Sequence, residues 1–261
     1  MLESRIAAIE SRQVQSGIKT VPSNVKTAQT SLNTVQVQGG SLKTWSFASA
    51  AVERVQVRLQ TEGRPLDADI DLWQGPDNTP HRIRVYVEDG KARPFNCVMM
   101  TPRGPNTIAI RNTGQLEFPM AASVFPDTKS EYLDIVPSDP TTSKTIQGGA
   151  LRTYPFDCNI ESVQILLKTD GRPLNARIEL LQGPNNNKMV MEVYTEDGMD
   201  RPFYVVIETP GSGNVVRVVN TATVEFPMTA LVEPYLVDND KSDSAEVVMG
   251  GDSRSPMARK W

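Results

Sequence analysis

The sequence predicts an all-β protein built as a tandem duplication of one β-sandwich module, with approximate two-fold pseudosymmetry and extended N- and C-terminal arms. Three observations predict this fold class. Apolar and polar residues alternate with a period of two through most of the chain. Gly- and Pro-rich turns separate the alternating runs. Finally, the chain repeats itself after about the length of one small domain.

The repeat is specific, because five motifs recur in the same order 108 residues apart. The first copy contains Gly63-Arg64-Pro65-Leu66, Gln74-Gly75-Pro76, Glu88-Asp89-Gly90, Arg93-Pro94-Phe95 and Glu117-Phe118-Pro119-Met120. The second contains Gly171-Arg172-Pro173-Leu174, Gln182-Gly183-Pro184, Glu196-Asp197-Gly198, Arg201-Pro202-Phe203 and Glu225-Phe226-Pro227-Met228. A unit this long exceeds the roughly 20 to 50 residues of solenoid repeats. Each copy is therefore expected to be a complete domain.

Four segments follow from this reading. They are 1–34, a short helix and polar arm; 35–126, the first module; 127–235, the linker and second module; and 236–261, the tail. The helix is predicted because Leu2, Ile6 and Ile9 have helical spacing. The tail is acidic at first and then basic, a composition typical of chain ends without a core.

Each module is expected to hold six or seven short strands in a sandwich of jelly-roll or immunoglobulin-like type. In the first module, alternating runs end at Leu59, Leu72 and Val87, and another includes Ile108 and Ile110. The last run extends from Leu116 to Met120. Pro119 and its equivalent Pro227 fall inside that run, which predicts an edge strand or a bulge because proline lacks a donor for the ladder.

Composition narrows the functional classes. The 261 residues are 39% hydrophobic and 22% charged, with a net charge of −4, so the chain is long enough for two modest cores. No run approaches the roughly 18 apolar residues of a membrane span, and no concentrated basic surface for nucleic acid is evident. Cys97 and Cys158 are not equivalent in the repeat, which favours two buried thiols over a disulfide. No targeting peptide is expected in this chain.

The search for catalytic and metal-binding residues assigns none. His81 is the single histidine and its repeat equivalent is Met189, so a surface turn residue is favoured over a general base. Asp67, Asp69, Asp71 and Asp77 are of the residue type that binds calcium. A solvated sheet face is favoured instead, because calcium normally takes about 6 to 8 converging oxygens. No cofactor is expected.

The arginines of the Gly-Arg-Pro-Leu and Arg-Pro-Phe motifs are the best candidates for an arginine-based ligand site. Each is held extended by the proline that follows it. The favoured interpretation is that these arginines fasten loops to their own module through carboxylates and carbonyls.

Taken together, the five paired motifs and the ending Ser255-Pro256-Met257-Ala258-Arg259-Lys260-Trp261 resemble the pyrenoid shell (PyShell) proteins of diatoms. The resemblance implies a non-enzymatic structural protein that self-assembles into sheets or tubes. It implies a sheath around the Rubisco-filled pyrenoid of the chloroplast, at the pyrenoid periphery, which supports carbon dioxide concentration and fixation. The implied partners are further copies and related shell proteins, with the Rubisco matrix nearby.

Two other classes are alternatives. A soluble tandem carbohydrate-binding module should carry aromatic platforms, yet aromatics make up 6% of the chain. Moreover, Trp45 and Trp73 of the first module become Tyr154 and Leu181 in the second. A hydrolase lacks paired catalytic groups in this sequence.

Differences between the two copies identify a candidate assembly interface. Arg58, Arg82 and Arg111 become Leu166, Val190 and Val219, so outward positions turn apolar in the second module. Two charges also reverse: Asp69 becomes Arg177, and Arg84 becomes Glu192. The hypothesis is that unlike modules meet, within one chain or between chains, and that Arg at the three apolar positions leaves the fold intact. The tail adds the anchors Met257, Arg259, Lys260 and Trp261.

Overall fold

The computed structural model describes residues 34–126, 142–184 and 186–238. The first module contains β1 Val35–Val37, β2 Leu42–Phe47, β3 Arg54–Gln60, β4 Leu66–Trp73, β5 His81–Val87, β6 Phe95–Met100, β7 Asn106–Asn112 and β8 Met120–Pro126. The second contains β9 Lys144–Ile146, β10 Leu151–Pro155, β11 Ile160–Lys168, β12 Leu174–Gln182, β13 Asn187–Thr195, β14 Phe203–Glu208, β15 Asn214–Asn220 and β16 Met228–Val237. In these ranges no helix is long and apolar enough to cross a membrane. The helix expected near Leu2 and the tail lie outside the described residues.

The strands of each module form two four-stranded sheets in jelly-roll order, and successive strands change sheet except at the β4–β5 and β12–β13 hairpins. In the first module, sheet A has the order β1-β8-β3-β6 and sheet B has the order β2-β7-β4-β5. The second module repeats the pattern with β9-β16-β11-β14 and β10-β15-β12-β13. The all-β prediction is confirmed, with the jelly roll as its topology. Each module has eight strands instead of six or seven, because β1 and β9 are three residues long and too short to show a period.

The two modules join edge to edge through both sheets. β6 pairs with β14 in sheet A, and β5 pairs with β13 in sheet B, so each sheet has eight continuous strands. Both pairings are centred on repeat-equivalent residues: Cys97 lies opposite Val205, and Arg84 opposite Glu192. This is the register of an approximate two-fold axis. One hydrophobic cluster contains residues of both modules, so the expectation of two cores is wrong.

The prediction for the last strand of each module is also wrong. β8 begins at Met120, after Pro119, and lies between β1 and β3 instead of at an edge. Leu116 belongs to a turn and is 79% exposed. The Phe118 amide donates to the Gln115 carbonyl at 2.9 Å and closes that turn. The proline therefore needs no ladder partner, because it precedes the strand.

The same turn explains a repeated glycine. A Cβ on Gly39 would lie 2.0 Å from the Gln115 carbonyl oxygen, and a Cβ on its equivalent Gly148 would lie 1.7 Å from that of Thr223. Any side chain would therefore push the β1–β2 and β7–β8 connections apart.

The outer edges of the sheets carry features that oppose further strand pairing. β1 and β9 are only three residues long. β2 carries Lys43, and β10 carries Arg152 and Pro155. Short strands, basic side chains and proline are the devices by which proteins prevent edge-to-edge aggregation. Contacts between copies are therefore expected to use faces, turns or arms.

Candidate assembly surfaces and the module junction

A row of alternating charges crosses the junction on the outer face of sheet B. Asp69, Arg84, Glu192 and Arg177 are successive cross-strand neighbours on β4, β5, β13 and β12. Arg84 Nε lies 3.9 Å from Asp69 Oδ1, and Arg177 Nη1 lies 3.6 Å from Glu192 Oε1. The charge reversal noted in the sequence thus places Arg84 opposite Glu192 where the modules of one chain meet. Opposite charges on facing strands stabilise this pairing.

Two buried arginines also reach across the junction, in a symmetric pair. Arg93 Nη2 donates to Gln182 Oε1 at 2.9 Å, and Arg201 Nη2 donates to Gln74 Oε1 at 2.9 Å. Each glutamine also donates from Nε2 to loop carbonyls of its own module, including that of Pro102 for Gln74. Arg93 and Arg201 are 6% and 5% exposed, and burial lowers the pKa of each guanidinium. We call these four residues the Arg-Gln clasp.

The clasp corrects the interpretation of the Arg-Pro motifs. The arginines of Arg-Pro-Phe bind the opposite module, not a loop of their own module. Those of Gly-Arg-Pro-Leu do stay within their module: Arg64 lies over Phe118 at 5.3 Å and Arg172 over Phe226 at 5.6 Å. Arg172 also donates to the Glu225 carbonyl at 2.9 Å.

Removing either clasp arginine is expected to destabilise the whole chain. Arg93→Met or Arg201→Met leaves a glutamine oxygen without its charged donor, at a cost of about 1.5–3 kcal/mol. Exposed Arg64→Met is the matched control, and its loss of a cation–π contact should cost about 0.5–1 kcal/mol. Urea unfolding followed by circular dichroism measures both changes. Equal effects at Arg64 and Arg93 would contradict the importance of the clasp.

The two ends of the junction carry different ion pairs, Arg103 with Asp200 at one end and Lys188 with Glu88 at the other. Arg103 pairs with Asp200 of the other module, whereas the repeat-equivalent positions are Gly211 and Ala92. Arg103 has a φ of 58°, a left-handed value that its equivalent Gly211 adopts without strain. A cleft of about 460 Å³ lies beside this pair. It is lined by Gln74, Arg103, Gly171, Glu196, Asp197, Asp200 and Arg201.

The prediction that His81 lies on a surface turn is wrong, because it lies inside the junction. It is the first residue of β5, faces Thr195 of β13, and is fully buried. Its ring meets that of Phe203 edge-on at 6.3 Å between centroids. Neither ring nitrogen has a hydrogen-bond partner among the described residues. Burial, and then the positive charge of Arg201, lower the pKa of His81 to about 3.

The three apolar positions of the candidate interface do not share one surface. Val190 and Val219 are half-buried on the outer face of sheet B. Val190 is the cross-strand neighbour of Tyr86, and Val219 lies between Arg177 and Leu151, which is 54% exposed. These two positions therefore lie beside exposed apolar and aromatic side chains.

Leu166, in contrast, lies on the outer face of sheet A and is only 6% exposed. It belongs to a compact apolar cluster made of Val98, Leu166, Tyr204, Val206 and Leu231. The expectation that Leu166 shares a solvent-type face with the two valines is wrong, because it lies on the opposite sheet.

Other sequence expectations have mixed outcomes. Cys97 is buried, as expected, but Cys158 is exposed; neither forms a disulfide. Asp69 and Asp71 project from β4 beside Arg84 and Arg82 of β5. Met257, Arg259, Lys260 and Trp261 lie outside the described residues.

Sequence reasoning missed the role of Gln74 and Gln182, although both stand in a repeated Gln-Gly-Pro motif. Recurrence was the available signal, but it cannot identify a partner in the other copy. The sequence also gives no sign of Glu179, which is 4% exposed. Its carboxylate accepts hydrogen bonds from Arg177 Nε at 2.7 Å and from Arg217 Nε at 2.5 Å. Its equivalent is Asp71, so nothing in the repeat marks it.

Comparisons with known proteins give one family. The model of the family described as diatom pyrenoid shell protein matches residues 26–234. No curated protein matches the chain. Among solved structures, a single-residue variant of oxalate decarboxylase from Bacillus subtilis is 8% identical, with a TM-score of 0.18, covering 78% of this chain and 68% of its own. A chain from a structure of infectious bursal disease virus, Gx strain, is 11% identical, with a TM-score of 0.17, covering 82% of this chain and 81% of its own. Scores this low carry no argument.

Proposed function

Because the chain belongs to the diatom pyrenoid shell protein family, we propose that it is a structural subunit that assembles with further copies of itself. The assembly is a sheath at the periphery of the Rubisco-containing pyrenoid in the chloroplast, and it supports carbon dioxide concentration and fixation. The observation that carries this proposal is the family match, which runs through both modules and the junction between them.

The geometry supports a building block. Two jelly rolls share both sheets and one core, and the clasp joins them at two symmetric points. Two fused modules in one chain can present different surfaces to different neighbours. Heterologous contacts between such surfaces form open arrays when the rotation that relates neighbours does not close into a ring.

Assembly is tested with the purified full chain at rising concentration. Light scattering should show growth, and electron microscopy should show sheets or tubes. A chain that stays monomeric at every concentration would contradict the proposal. Sugar titration is run in parallel, because binding of a sugar without assembly would instead support a carbohydrate-binding module.

Val190→Arg combined with Val219→Arg should prevent assembly while the chain remains folded. Both positions are half-buried on the outer face of sheet B, where an arginine can reach solvent. Replacing apolar contacts by two positive charges should weaken an interface there by several kcal/mol, about 1.5–3 kcal/mol for each valine. The readout is light scattering at concentrations where the parent assembles. Gln60→Arg with Thr229→Arg adds the same charge at exposed positions of sheet A and is the control. Normal sheets from the sheet B variant would remove that face from the interface.

The tail is proposed to dock on an adjacent copy through Met257, Arg259, Lys260 and Trp261. Aromatic and arginine side chains dominate the energies of protein interfaces. Deleting 244–261 should leave the circular dichroism spectrum and unfolding midpoint unchanged, and should raise the concentration needed for assembly. Replacing Trp261 alone by Ala distinguishes the anchor from the length of the tail. Unchanged assembly by the deletion variant would contradict this docking.

A further inference from the structure

Five apolar side chains form a strip on the outward side of sheet A. The strip consists of Val98, Leu166, Tyr204, Val206 and Leu231, from the neighbouring strands β6, β14, β11 and β16. Their neighbours in sequence, such as Cys97, Ile165 and Phe203, belong to the core between the sheets. Because successive side chains of a strand point to opposite faces, the strip faces outward.

The strip is nevertheless buried. Tyr204 and Leu231 are each 2% exposed, and Val206, the most exposed member, is 7% exposed. Polar side chains form its rim: Tyr204 Oη donates to Gln164 Oε1 at 3.3 Å, and Gln164 Nε2 donates to Glu233 Oε2 at 3.4 Å. An outer sheet face with this little exposure resembles a surface inside a protein, which requires a covering layer.

The path of the chain points to that layer. β8 is the second strand of sheet A and β9 is the eighth, so their connection must cross the five strands between them, a distance of six inter-strand spacings. At about 4.8 Å per strand this distance is about 29 Å. Residues 127–143 are available, and at about 3.3 Å each they span far more than that distance. The space between the sheets is filled by the core, so the short route passes over the outward side of sheet A. The strip, at the fourth to seventh positions, lies on this route.

The composition of the connection fits the strip. Its middle contains Tyr132, Leu133, Ile135 and Val136, and its ends are polar. We propose that residues 127–141 dock on the strip and cover it within the same chain. This inference does not depend on the shell function. The cover has a consequence for assembly, because sheet A then offers no apolar strip to a neighbour, whereas sheet B keeps Val190, Val219 and Leu151 at least partly exposed.

Hydroxyl-radical footprinting of the full chain, at concentrations where it is monomeric, tests the cover. Tyr204 should be labelled slowly in the parent. It should be labelled severalfold faster when Tyr132, Leu133, Ile135 and Val136 are all replaced by Ser. Phe203 of the core is the internal reference for an intact fold. Ser130→Ala with Ser138→Ala is the matched control and should change nothing.

Separate deletions of 1–33 and of 239–261 distinguish the other candidate covers. Faster labelling of Tyr204 after either deletion, or labelling that slows as the parent concentration rises, would assign the strip to an arm or to a second copy and overturn the proposal. If the four-serine variant also exposes Phe203, its fold is disturbed, and cross-linking of the otherwise unchanged chain tests the cover instead. Leu133→Cys with Leu231→Cys, in a Cys97→Val, Cys158→Ser background, should be joined within one chain by a short bis-maleimide. Leu133→Cys with Thr153→Cys on sheet B should not be joined. Absence of the first cross-link would overturn the proposal.

Discussion

Leu166→Arg is expected to lower the free energy of unfolding by about 3–5 kcal/mol. The side chain is 6% exposed and packed in the apolar strip of sheet A, so the arginine would be buried without a partner or would displace its neighbours. Urea unfolding monitored by circular dichroism measures the loss. Leu166→Met is the control and should cost less than about 1.5 kcal/mol.

This expectation revises the design of an assembly mutant. The sequence alone predicts that arginine at Leu166, Val190 and Val219 together leaves the fold intact. The structure separates the three, so failure of that triple variant to assemble would report unfolding as well as a lost interface. Equal midpoints for Leu166→Arg and the parent would show that position 166 is open to solvent.

His81→Met is expected to remove much of the sensitivity of the fold to acid. Burial holds the pKa of His81 at about 3 in the folded chain, against the ordinary value of 6.5 in the unfolded chain. As pH falls below 6.5, His81 of the unfolded chain binds a proton, whereas His81 of the folded chain stays neutral down to about pH 3. The free energy of unfolding therefore decreases between these two pH values. At a pH of about 4.5 this loss is about 2–3 kcal/mol.

Methionine is the natural choice because Met189 occupies the equivalent position in the second module, where it is fully buried opposite Val87. Parent and variant should have similar stabilities near neutral pH and diverge progressively below a pH of about 6. Thermal unfolding at a series of pH values measures the divergence. Parallel curves down to acid pH would mean that His81 is hydrated or charged in the folded chain.

The repeat and the period of two predicted the fold class and the two-fold relation between modules, because both depend on local pattern. They could not predict which strand edges join. Strand pairing depends on register between distant segments, and a one-residue shift exchanges the two faces. His81 illustrates the limit, since its burial depends on Thr195 more than a hundred residues away.

A signal for the buried strip was present in the sequence. Phe203 to Ile207 form an unbroken apolar run, which is typical of a strand covered on both faces. Comparing repeat positions one at a time identified Leu166 as an altered residue but did not show that Tyr204 and Val206 surround it. The clasp was unpredictable for a different reason: identical motifs in both copies give no sign of which copy each one contacts.

The ion pair between Arg103 and Asp200 has no counterpart at the other end of the junction, where Gly211 and Ala92 stand. A true homodimer with this architecture would be unchanged by half a turn about its axis. Here the half-turn exchanges the pair Arg103–Asp200 for the pair Lys188–Glu88, whose own repeat-equivalent positions are Pro80 and Glu196. The two ends therefore carry different charged groups, and the subunit has a polarity. In a layer of such subunits, rotating one copy by half a turn gives a different orientation. A neighbour that contacts the Arg103–Asp200 end can therefore select one orientation over the other.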